Sequence, residues 1–299
     1  MLDIVIDTRC HDLGGFEVGR VLPFRARRMV GPFIFFDRMG PAQMPPGIPR
    51  ETDVRPHPHI GLSTITYLFE GEMTHRDSTG VEQVIRPGAL NWMTAGRGIS
   101  HSERFDGLRE RGGPMDGIQA WVALPTEDEE TAPDFAHHPA GALPEFGEGG
   151  LSARLIAGEA YGLRSPARTR SPLFYVHAEL ADGARMGLPE GHAERAVYVA
   201  RGEVEVGGVR YPEGKMLVFR GGVAPTLTAV GATRLMLLGG EPVGARHIWW
   251  NFVSSRRDRI EQAKADWAAG RIPLPPMDRD TFIPLPEAQA QAPTPNPMS

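Results

Sequence analysis

The amino-acid sequence predicts an all-β protein made of two tandem units of similar design. Three observations carry that prediction. Glycine and proline supply 36 and 28 of the 299 residues, a density of chain breakers that suits short strands and tight turns better than long helices. Runs rich in β-branched and aromatic residues end at glycine, as strands entering turns do. The order of strand and turn found in the first half also returns in the second, about 125–131 residues later.

Residues 60–72 read as a strand that reaches its turn at Gly71. A short hairpin follows, then the turn Pro87-Gly88 and a strand through Leu90, Trp92 and Met93. In the second half residues 194–203 reach a turn at Gly202, and Pro212 and Gly214 precede a strand through Met216 and Val218. Between the halves, Pro125, the acidic run Glu127 to Glu130, the pair His137 and His138 and the glycines of 147–150 read as a solvated connection with its histidines exposed. Ser255 is expected to cap a helix over 256–269, with Asp258 at its third position and Trp267 on its apolar side. Gly270 and Pro273 end it. The tail from about 285 is low in complexity and expected to be disordered. The expected division is 1–145 for a first domain, 146–285 for a second and 286–299 for the tail.

The chain has a net charge of −5 and a pI near 6.1, with scattered basic residues, which argues against direct nucleic-acid binding. Arg25, Arg27 and Arg28 read as a solvated strand edge that guards against sheet-to-sheet pairing. One cysteine, Cys10, permits no intrachain disulfide and no cysteine-based metal site. No signal-like opening and no apolar stretch of about 18 residues is found, so a soluble cytoplasmic protein off the membrane is expected. It is also expected to be a monomer.

Chemistry concentrates in two pairs, His57 with His59 and His101 with Glu103. Residues i and i+2 of a strand face the same way, so each pair aims two metal-capable groups in one direction. Two neighbouring strands would then join four ligands. Three neutral imidazoles and one carboxylate suit Fe, Mn, Ni, Cu or Zn and leave one or two positions open on a five- or six-coordinate ion. A structural zinc site is more often closed and cysteine-rich. His75 and Asp77, also two apart, read as turn residues or as lining of a pocket mouth.

The paired histidines, the glycine-punctuated hairpin, the Pro-Gly turn and the later histidine resemble the two-motif signature of the cupin superfamily, whose small barrels or jelly rolls hold a metal inside. The usual cupin glutamate would fall at Ser63 or Thr64; here the acid is Glu103, as in the pirin branch of the two-domain cupins. The chain further resembles pirins in Val30 to Phe33 with Phe36-Asp37, Arg55 to Gly61, Trp92 to Glu103, Gln119 to Pro125, and Gly239 to Pro242 leading to Trp250-Asn251-Phe252. That resemblance implies two tandem cupin barrels of jelly-roll type with a short C-terminal helix. It also implies one divalent metal on His57, His59, His101 and Glu103, iron(II) foremost, with zinc, copper, manganese or nickel compatible.

The second unit keeps Glu190, His192 and Glu194 but has Leu227 where a second-motif histidine would stand, 13 residues after Gly214. It is therefore expected to be metal-free, with Glu190 and His192 in a surface loop. Some bacterial pirins open the flavonol quercetin with dioxygen, so the resemblance implies a metal-dependent dioxygenase acting on a flavonol or similar enolisable small molecule. Glu103 would be a ligand and base, or a ligand alone. The alternative is a non-enzymatic, iron-dependent regulator that binds a transcription factor or a metabolic enzyme complex as its protein partner.

Overall fold

The β-rich run at 60–72 forms the strand Leu62–Glu70, in the middle of a seven-stranded antiparallel sheet. From one edge its order is Asp134–His138, Leu90–Thr94, Leu62–Glu70, Gly113–Ala123, Phe33–Met44, Glu17–Leu22 and Arg9–Asp12. The structure, a computed structural model, describes residues 1–12 and 17–286. Facing this sheet is a four-stranded one in the order Val54–His59, Ile99–Arg104, Met73–Asp77 and Glu82–Ile85. A ten-stranded sheet built mainly from residues 145–240 makes the second unit. The protein is thus all-β with two tandem jelly-roll-like units, although among the described residues the sheets do not close into rings.

Strand alternation explains how one sheet serves two purposes. In Gly113–Ala123, Ile118, Ala120 and Val122 join a core that also contains Tyr175, Tyr198, Met236 and Leu238 of the second unit. Trp121 and Ala123, on the opposite face, pack inside the first unit with Phe35, Leu62 and Met93. The central strand of this sheet is covered on both faces, so residues 62–69 are all buried, Ser63, Thr64 and Thr66 included. The interior of the second unit is filled by Leu155, Phe174, Val176, Val197 and Leu227. Apolar side chains occupy the place where a second ligand would have stood.

Several expectations are corrected. The strand Leu2–Asp7 crosses the expected division at 145/146 and pairs with Lys215–Phe219 of the second unit. Arg25 to Arg28 lie in and beside a tight turn closed between Phe24 and Arg27, not on a strand edge, and Arg27 pairs with Glu194 at 3.1 Å. His137 and His138 are half-buried on a strand, where Asn91 holds the Nδ1 of His137 at 2.7 Å. Glu129, taken for a solvated acid, is buried against Arg246 at 2.9 Å. It also accepts from the Ser255 hydroxyl at 3.1 Å, so Ser255 does not cap the helix. That helix runs Arg257–Ala268 from Arg256, with Trp267 buried as expected. Of the expected tail, 287–299 lies outside the described residues.

Candidate metal centre

Val54–His59 lies at an edge of the four-stranded sheet, which tolerates the missing donors of Pro56 and Pro58. Its neighbour Ile99–Arg104 places His101 opposite His57. Between His101 and Glu103 the register slips, because Glu103 faces Val54 and two residues, Arg55 and Pro56, oppose one. Such a bulge bends a strand and re-aims its side chains. On the other side Met73–Asp77 pairs with the same strand, opposing Asp77 to His101 and His75 to Glu103.

The ligand-capable nitrogens of His57, His59 and His101 all lie within 4.8 Å of one another, and the three rings are buried. This is a cluster that can hold a metal ion. Two backbone carbonyls orient the first two rings. The Nδ1–H of His57 donates to the Arg55 carbonyl at 2.9 Å, and that of His59 donates to the Asn251 carbonyl at 3.2 Å. That leaves the Nε2 atoms of His57 and His59 bare, and the Nε2 of His101 stands 3.1 Å from that of His59. Three clustered neutral imidazoles are a donor set that fits a metal. Burial makes imidazolium costly: the pKa of His57 falls to about 4, and those of His59 and His101 fall well below the ordinary value. The rings are therefore neutral at pH 7, as metal ligands must be.

Glu103 shares this cavity, although its carboxylate lies outside the tight group formed by the imidazoles. Gln119 hydrogen-bonds its side chain, while Oε1 is buried with no partner. The amide is itself fixed by Thr66, whose hydroxyl donates to Gln119 Oε1 at 2.8 Å. Burial raises the Glu103 carboxyl to about 7. An orphaned buried acceptor is costly, and a cation near it would remove that cost.

The cavity is about 390 Å³. Phe35 and Trp121 stack at 4.0 Å, the Arg20 guanidinium lies 4.4 Å from the Phe35 ring centre, and His59 meets the Trp121 ring at 5.1 Å in a T-shaped contact. Arg20 and Asp37 supply a polar part of the lining, joined by two hydrogen bonds of 2.8 and 2.7 Å. Volume alone does not select this site: a wider cleft of about 800 Å³ beside Cys10 and Tyr198 has no described histidine in its lining.

The structure thus brings His57, His59 and His101 together and puts Glu103 beside them. His75 and Asp77, read as turn or pocket-mouth residues, are instead buried strand residues behind His101. His192 is half-buried and bonds the Glu159 carbonyl at 3.1 Å, and Glu194 accepts from the Gly31 amide at 2.6 Å. Residue types alone did not reveal Thr66, Gln119, Phe35, Trp121 and Asn251 as site residues. All except Phe35 and Thr66 fall in segments that carried the family resemblance.

Comparison with known proteins agrees with this architecture. The family profile described as Pirin matches residues 15–122, and that described as Pirin C-terminal cupin domain matches residues 175–273. A pirin-like protein of Caulobacter vibrioides is 63% identical over 288 residues, spanning 96% of this chain and 100% of the relative. A crystal structure of quercetin 2,3-dioxygenase from Acinetobacter baumannii is similar with a TM-score of 0.88 and 32% identity, covering 96% of both chains. A second structure so named from that organism gives a TM-score of 0.85 and 30% identity, over 91% of this chain and 98% of the other. With both halves matched and one relative nearly two-thirds identical from end to end, the chain belongs to the pirin family.

Proposed function

We propose that the protein is a metal-dependent dioxygenase of the quercetin 2,3-dioxygenase type, with one divalent metal, iron(II) foremost, held by His57, His59, His101 and Glu103. The observation that carries this reading is the cluster of three neutral imidazoles, two of them lining one cavity, beside a carboxylate with one unpartnered oxygen in that cavity. When bound, the metal supplies a Lewis-acidic and redox-active centre with open positions for small ligands.

The protein's own groups do the rest. Phe35 and Trp121 line the cavity and suit an aromatic substrate, in a volume suited to small molecules. Asp37 and Arg20 pair with each other, and much of the remaining lining is apolar. Glu103 is placed to take a proton from an acidic substrate hydroxyl, and Gln119 holds its side chain. An enolisable flavonol has such a hydroxyl next to a keto group, and deprotonation makes it electron-rich enough to react with dioxygen. Similarity to the Acinetobacter proteins supports this substrate class.

The variant Glu103→Gln tests the reading. Its amide can still coordinate weakly but cannot take the proton. Turnover of quercetin per bound metal is expected to fall at least about 100-fold, in line with loss of a general base, while metal content falls much less. Equal turnover per metal in wild type and variant would remove Glu103 from the chemistry.

A further inference from the structure

His75 and Asp77 touch no substrate space, yet both are buried, Asp77 completely. We propose that they are positioning residues that lock His101 in the tautomer metal binding requires; the inference rests on the metal reading above. Asp77 divides its two oxygens between two tasks. Oδ1 accepts from the amide of Thr79 at 2.8 Å, its hydroxyl at 2.6 Å and the amide of Val81 at 3.3 Å, closing the turn after the strand. Oδ2 stands 3.0 Å from Nε2 of His75.

A carboxylate only accepts, so the proton of the His75–Asp77 bond sits on His75 Nε2. His75 Nδ1 faces Nδ1 of His101 at 3.3 Å. A metal on the Nε2 side of His101 leaves the one proton of that neutral ring on Nδ1, from which it donates to His75 Nδ1. The Nε2 of His101 is left bare, toward His59 and the cluster. Stacking on Phe135 at 4.5 Å fixes the His75 ring in this orientation. The chain Asp77, His75, His101 therefore does for the third ligand what backbone carbonyls do for His57 and His59.

Asp77→Asn reverses the chain. The amide keeps an oxygen for the turn but presents NH₂ to His75, whose proton must move to Nδ1. That proton opposes the one on His101 Nδ1 and drives it to Nε2, where it blocks the lone pair. His75→Gln restores an acceptor for His101, whereas His75→Phe keeps the stacking on Phe135 and removes the acceptor.

The test titrates each full-length metal-free protein with zinc(II) against a chromophoric chelator, and reads the imidazole nitrogen shifts of His101 by NMR. Asp77→Asn and His75→Phe are expected to bind zinc about 10–100-fold more weakly, the usual effect of losing an outer partner. His75→Gln is expected to recover most of the affinity. In Asp77→Asn the proton on His101 should move from Nδ1 to Nε2, which a packing defect would not cause. Wild-type affinity with an unchanged tautomer in Asp77→Asn overturns the proposal even if His75→Phe fails to fold. If wild type binds no zinc but shows the Nδ1–H tautomer and its reversal in Asp77→Asn, the metal reading fails and the lock stands.

Discussion

Burial holds the Glu103 carboxyl near 7, so in metal-free protein it is protonated at pH 6 and ionised at pH 8. A metal would bind the ionised form. Metal binding at pH 6 should therefore release about one proton from Glu103, and at pH 8 almost none. The imidazoles contribute none at pH 6, because burial keeps them neutral. Calorimetry in two buffers of different ionisation enthalpy measures the release, and Glu103→Gln should abolish it. The same shift has a stability sign. The folded state holds its Glu103 proton more tightly than the unfolded chain, so metal-free wild type loses about 3 kcal/mol relative to Glu103→Gln as pH rises from 4.5 through 7. At this scale much was legible, since the i, i+2 pairs named the three histidines that converge and the neighbouring acid. The roles of His75 and Asp77 were not, because their function depends on which strand lies beside His101, and pairing between strands 26 residues apart leaves no local pattern.

The strands and turns around the site depend on close backbone approach at a few positions. Gly61 adopts φ +67°, and a side chain there would come 2.0 Å from the Val253 carbonyl. The segment it would displace includes Asn251, whose carbonyl orients His59. Gly61→Ala should cost at least about 2 kcal/mol and weaken metal binding together. Gly80→Ala, with φ +97° but open space around it, should cost only about 1 kcal/mol and leave metal binding unchanged. Chemical denaturation and metal titration check both variants. Elements with a strong local signal were readable: the strand entering Gly71 and the helix carrying Trp267, whereas the strand expected to turn at Gly202 runs on through it to Val206 and turns at Gly207-Gly208. The cap at Ser255 was misread because buried Glu129, 126 residues earlier in the chain, competes for the same hydroxyl and wins.

Across the whole molecule, the two units share a core and an ion network. Asp116 of the first unit accepts from Arg38 at 3.1 Å through two bonds and from Arg234 of the second at 3.3 Å, all three being buried. Asp116→Ala leaves two guanidinium groups without their common partner and should cost about 3–5 kcal/mol. A single unfolding transition is expected in calorimetry, because the first strand of the chain is also paired into the second unit. Duplication was visible in the repeated turns, but a sequence repeat does not say which faces meet, so the shared core was not. The most direct measurement of the central claim follows dissolved oxygen with an electrode as quercetin is added to protein carrying one equivalent of iron(II). Wild type should consume oxygen in step with quercetin, and His101→Ala, which removes one of the three clustered imidazoles, should not. Uptake by metal-loaded wild type no faster than by the same iron free in buffer would contradict the account.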